Sequence, residues 1–341
     1  MYTFKNTEKN NKKANDYETK ALLYLLSYRT DSSSIDTFAI DCFNDVTGCN
    51  NHFSKLWDLQ SKNVKDIQPK KLGTFLITLF LNHEHTFPFK NFILFIPKLK
   101  ESYLIEKDKK TFDISNFKIE CIEKIRLGLT EEYKRRENKE SNAERRDLFL
   151  TRVFFVLGDT SEVEYVKKIT NFKHSIVQDD FFKNIFKEIR DKQTSLKNIC
   201  VENISINEPS DVLTTNKIIK RTEFDSLIIN RFIGYDIFKD LNLFPNSFFD
   251  EIKNYDEEER KDIIQNSKSE ISRLLFDKNN KKKFWKFFEI VLCSTKQDLS
   301  KKPREVYNNL LLKNLKIPSE LSDITVIYLI SLIKDGWKNE E

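Results

Sequence analysis

From Asp16 the run DYETKALLYLLSY places Ala21, Leu22, Leu25, Leu26 and Tyr28 on one side at helical spacing, with Asp16 as the capping residue. This predicts a helix that ends near Arg29, before the polar cluster TDSSS. Next, IDTFAIDCFNDV mixes Ile35, Phe38, Ile40 and Val46 with Phe43 and reads as one strand, followed by a polar turn, TGCNN. In HFSKLWDLQSKN the stretch Leu56 to Lys62 alternates, which sets Asp58, Gln60 and Lys62 on one face and Trp57 and Leu59 on the other. The two strands are expected to form a hairpin. Pro69 opens a helix over KKLGTFLITLFLNHE, and NFILFIPKL has the continuous apolar character of a buried strand. A long charged helical stretch from Asn116 to Arg146 precedes a last apolar run, DLFLTRVFFVLG, that closes the domain near Gly158. Sheet and helix alternate, so the expected architecture is an α/β layer structure with a mixed sheet flanked by helices.

Beyond Gly158 the pattern changes to segments such as SEVEYVKKI, DFFKNIFKEIRDK, KKFWKFFEIVLC and ITVIYLISLIKDGW, whose apolar positions recur three and four apart. The expectation is a domain over residues 1–165 followed by an all-α domain over 166–341. Lys5 to Asn15 lacks residues that could pack and reads as a basic arm.

Composition narrows the class. Hydrophobic residues make up 39% of the chain, but aromatics reach 13% with 29 Phe, so rings supply core volume that aliphatic residues do not. The net charge of +5 is too small to mark a nucleic-acid binder by itself, and a DNA-binding surface must then be local. The 5 cysteines are scattered, with no C-x-x-C pair, which argues against a disulfide framework or a zinc knuckle. No stretch is apolar enough to span a bilayer and the first residues are polar and lysine-rich, so the chain is expected in the cytoplasm, away from membranes.

The residues that bear chemistry are Asp45 and, across the hairpin, Gln60-Ser61-Lys62. Asp45 offers a hard anionic oxygen to Mg²⁺ or Mn²⁺, and Mg²⁺ asks for only one or two carboxylates. Gln60 adds a neutral carbonyl oxygen. Lys62 emerges on the face of Gln60, where its ammonium would orient an attacking water and stabilise a phosphate transition state. Glu18, on the first helix, can approach the same metal. The chemistry implied is metal-assisted phosphodiester hydrolysis.

The helix carrying Glu18 in YETKALLYLL, the strands FAIDCFNDV and LWDLQSKN, a helix, a strand and the late strand FLTRVFFVLG together resemble the PD-(D/E)XK superfamily. Within it, the likeness is in particular to the double-stranded DNA endonuclease domain of bacterial anti-phage effectors such as those of CBASS systems. Those domains carry a Glu-Asp pair and then Gln-x-Lys; here Asn44 stands where an acidic residue usually precedes the aspartate, and Asp41 or Asp58 is left to supply the second acid. The resemblance covers the first half of the chain and implies a restriction-endonuclease-like fold, with Asp45, Gln60, Glu18 and Asp41 as metal ligands and Lys62 as the catalytic lysine. The helical half resembles the nuclease subunit of Lamassu-type defence complexes, which implies an SMC-like ATPase and a third defence subunit as partners, and a homo-oligomer when active.

Other readings remain open. The same residues fit a solvated hairpin face on a regulatory scaffold, or a restriction or repair nuclease with its own recognition domain. In KNNKKKFWKFF the lysines and rings suggest either a DNA-tracking surface or an amphipathic helix with Phe284, Phe287 and Phe288 in the core. The aromatics of the helical half, among them Phe249, Trp285 and Phe288, are expected to serve as contacts for a partner or a second copy.

Overall fold

The computed structural model describes residues 1–4, 16–173, 177–239 and 244–338. The basic stretch Lys5 to Asn15 lies outside the described residues. The strands are β1 (Tyr2–Thr3), β2 (Thr37–Ile40), β3 (Val46–Cys49), β4 (Leu56–Ser61), β5 (Phe89–Ile96), β6 (Thr111–Asp113), β7 (Val153–Leu157), β8 (Ser205–Ile206) and β9 (Ile218–Lys220). Seven of them form one mixed sheet in the order β6-β7-β5-β4-β3-β2-β9, and β1 pairs with β8 separately. In the large sheet β4, β5 and β7 run parallel, while β2, β3 and β4 form an antiparallel meander.

The first helix, α1 (Asp16–Leu23), continues as a π-helical turn over Tyr24–Tyr28, which extends the element to the boundary expected from sequence. Pro69 opens α2 (Pro69–Phe75), followed by α3 (Ile77–Glu84), and the charged stretch forms α4 (Ile119–Glu137) and the start of α5 (Ala143–Leu150). α2 and α4 cross closely at Gly73 and Gly128: a Cβ on Gly128 would overlap the carbonyl of Lys70, and one on Gly73 the carbonyl of Ile125.

Three expectations are corrected. IDTFAIDCFNDV is not one strand: Asp41 to Asp45 turns the chain, and the segment taken for the turn, TGCNN, begins as strand β3. The run DLFL ends α5 and is not part of the late strand. The division at residue 165 is incomplete, because the first compact unit comprises Met1–Tyr165 together with Phe186–Arg221, a segment that contributes the sheet-edge strand β9. The second half is therefore not all-helical.

The second unit comprises Val166–Ile185 and Thr222–Glu341 and is built from helices, among them 222–233, Glu257–Phe276, Lys281–Gln297, Pro303–Leu312 and Asp323–Lys338. Its core includes Phe284, Trp285, Phe287 and Phe288, while Lys282, Lys283 and Lys286 are exposed. The lysine–aromatic interleaving is thus an amphipathic helix, and neither Trp285 nor Phe288 can serve as a docking contact. Phe249 is half-exposed. Among the described residues no helix is long and apolar enough to cross a membrane.

Candidate active site

The turn between β2 and β3 brings the acidic residues to one end of the meander. Its closure is a hydrogen bond from the Asp41 amide to the Asp45 carbonyl at 3.1 Å, with Asp41 in the left-handed region at φ 51°, a conformation aspartate tolerates better than most residues. Asp45 then enters β3 beside the end of β4, where Val46 faces Leu59 in register. The Asp45 carboxylate is held on both oxygens. Oδ2 accepts from the amide and the hydroxyl of Ser61, each at 2.7 Å, and Oδ1 accepts from Gln60 Nε2 at 2.9 Å. Gln60 Oε1 in turn accepts from the Thr78 hydroxyl on α3 at 3.1 Å.

Lys62 follows the last residue of β4. Its amide donates to the Phe95 carbonyl at 2.9 Å, which prolongs the parallel β4–β5 ladder by one step and keeps the side-chain alternation running through Gln60 to Lys62. The structure thus gathers Asp45, Gln60, Ser61 and Lys62 at the carboxyl end of β4.

Asp58 is not part of that donor set. It is fully buried, and its carboxylate accepts from Asn44 Nδ2 at 2.6 Å, Asn82 Nδ2 at 2.7 Å and the Thr47 hydroxyl at 3.0 Å. Asn82 Oδ1 takes a hydrogen bond from the Tyr2 hydroxyl at 2.8 Å, so the network runs on to the first strand. Burial pushes the Asp58 carboxyl up to about 7, against the lowering effect of its three donors. Asp58 has no exposed surface, whereas Asp45 is only half-buried, so in this arrangement Asp58 does not present itself as the second acid. Asn44, which departs from the family pattern, is a partner of Asp58.

Two lysines that sequence reasoning missed meet the remaining carboxylates. Lys197, the last residue of the helix Asp179–Lys197, places Nζ 2.8 Å from Glu18 Oε2, and both side chains are almost wholly buried, at 5% and 6% exposure. Burial disfavours the Lys197 ammonium, but the carboxylate of Glu18, then those of Asp41 and Asp45, outweigh it and hold its pKa above the ordinary lysine value. Lys217, beside β9, lies 3.1 Å from the Asp41 carbonyl and 3.4 Å from Asp41 Oδ2. Nothing in the local sequence around either lysine marks it; their partners lie 179 and 176 positions away. Thr78 and Asn82 did leave a signal, as two polar residues one turn apart in the apolar helix ITLFLNHE.

The oxygens of Asp45 and Gln60 are hard donors of the kind Mg²⁺ takes, but in this arrangement Gln60 turns Nε2 to Asp45 and Oε1 to Thr78. Among the described residues no group of three or more His, Cys, Asp or Glu side chains is gathered as a metal site. Glu18 and Asp41, each on a lysine, do not converge on Asp45 as ligands in this arrangement. No protein-family model, curated protein or solved structure matches the chain.

Proposed function

We propose that the first unit is a Mg²⁺-dependent endonuclease acting on double-stranded DNA, with Asp45, Gln60 and Lys62 at its centre. One observation carries this reading: a helix, three antiparallel strands, a helix and a parallel strand place Asp45 against Gln60, with Lys62 one ladder step beyond the strand end. The likeness to PD-(D/E)XK nucleases rests on a helix, two strands, a helix and a strand, the first of those strands being divided here into β2 and β3.

Asp45 and Gln60 would hold the ion, with the Gln60 amide turned so that its oxygen faces Asp45; the two ends of an amide are nearly the same shape, so the turn needs little room. Bound there, Mg²⁺ supplies a polarised phosphate and a water acidic enough to attack near neutral pH. Ser61 fixes the Asp45 carboxylate through its amide and hydroxyl, so the ligand is oriented in advance. Lys62, half-buried at the strand end, presents its charge to the scissile phosphate and stabilises the negative charge that grows during attack.

One such site cuts one strand, so a double-strand break calls for two copies on opposite strands. Self-association, and control by an SMC-like ATPase and a third defence subunit, complete the proposal of an anti-phage effector. Of the aromatics named for such contacts, Phe249 is half-exposed, while Trp285 and Phe288 are buried.

The test is incubation of the full chain with supercoiled plasmid in MgCl₂, MnCl₂ or excess chelator, beside Asp45→Asn. Nicked and linear products that need the metal and vanish in Asp45→Asn are expected. Equal cutting in chelator, or by a folded Asp45→Asn, would exclude the assignment.

A further inference from the structure

The acidic face in this structure is neutralised by the protein's own lysines. Lys197 reaches it from the end of the helix Asp179–Lys197, and its ammonium is enclosed with Glu18 at 2.8 Å, within the field of Asp41 and Asp45. A buried ammonium is costly unless paired, and the same holds for the buried Glu18 carboxylate, so each is retained because the other is there. A lysine makes this pairing exchangeable. Its charge is a single point on a flexible four-carbon stem, without the two-pronged grip an arginine would have.

We infer that Lys197 is a resident counter-ion of the acidic face, and that it gives up Glu18 to a divalent cation when one is bound beside Asp45. The inference rests on the metal-binding reading of Asp45 and Gln60 and adds a residue to it. It also explains why the described carboxylates are not gathered as a metal site: Glu18 is held by Lys197, and Asp41 by Lys217. Ammonium and dication share the same carboxylates, and their mutual repulsion in a partly desolvated place makes the two occupancies competitive. Lys197 at the helix end then swings outward, and Glu18 becomes a ligand.

The experiment uses the wild-type full chain. Lysines are acetylated with an N-hydroxysuccinimide ester, with and without saturating MnCl₂, and labelled peptides are quantified by mass spectrometry. Lys197 should be protected without metal and react about tenfold faster with it, while exposed Lys282 and Lys283 hold constant as references. Mn²⁺ binding, followed by the loss of its free electron paramagnetic resonance signal, should tighten about tenfold or more in Lys197→Met. Lys197 that stays protected at saturating Mn²⁺, or unchanged or weaker binding in folded Lys197→Met, would overturn the inference. The labelling arm needs no variant, so a misfolded Lys197→Met does not block the test. Asp45-dependent Mn²⁺ binding with Lys197 still protected would sink this inference alone; no binding by wild type or variant would sink the metal reading with it.

Discussion

Asp58→Asn replaces a buried titratable carboxyl with a group of the same shape that does not ionise, and the consequence can be worked out against pH. In the folded protein burial raises the Asp58 carboxyl to about 7. In the unfolded chain such a group titrates near 4. Between these values the folded state keeps a proton that the unfolded state has released, so the Asp58 contribution is favourable below about pH 4 and is lost as pH rises to about 7. At about 1.4 kcal/mol per pH unit, the full change is on the order of 4 kcal/mol. Asparagine does not titrate, and it can still accept from Asn44 and Asn82 on its oxygen while its NH₂ donates to the Thr47 hydroxyl. The variant should therefore gain on the wild type as pH rises from 4.5 to 7.5. Urea unfolding of both proteins across that range, read by tryptophan fluorescence and circular dichroism, measures the difference. A stability difference that is flat over the whole range would refute the reasoning, because it would mean that Asp58 titrates alike in both states.

Gly128→Ala forces a Cβ into the Lys70 carbonyl where α2 and α4 cross, so it should destabilise by roughly 2 kcal/mol or more, seen as a lower urea midpoint. An unchanged midpoint would mean the helices separate freely. Arg221 donates to the carbonyls of Ile35 at 2.6 Å, Leu26 at 2.9 Å and Ser32 at 2.6 Å, and Arg221→Ala should cost roughly 3 kcal/mol. Arg221→Lys should recover only part of that loss, since one ammonium cannot reach three diverging carbonyls; full recovery would show that charge alone matters.

The elements with a clear period were legible in the sequence: the helix from Asp16, strand β4, the helix opened by Pro69 and the buried strand β5. The β2–β3 turn was not, for two reasons. Cys42 and Phe43 are apolar and buried within the turn and so extend the apparent strand. Gly48, which suggested a turn, lies in mid-strand, where a Cβ would come within 2.9 Å of Ile35 Cγ2, so it answers a close approach of chain segments. β9 has only three residues and owes its place in the sheet to pairing with β2, a contact no local pattern records. The site divides the same way. Asp45, Gln60 and Lys62 could be placed together by strand alternation across one short connection. Asp58 shared their face by the same rule, but its burial depends on Asn44, Thr47 and Asn82 closing over it, and Lys197 and Lys217 arrive by tertiary folding alone.

The central claim is that Lys62 and Asp45 do chemistry on a phosphodiester and not merely structure at a strand end. Lys62→Ala tests it most directly, because the anchoring of Lys62 to β5 is through its backbone amide, which alanine retains. The measurement is the single-turnover rate of duplex DNA cleavage by wild type and Lys62→Ala in MgCl₂, with matching circular dichroism spectra and melting temperatures as the fold control. A rate lower by on the order of 10² to 10³ in an equally stable protein is the predicted result. A folded Lys62→Ala that cleaves at the wild-type rate would contradict the account.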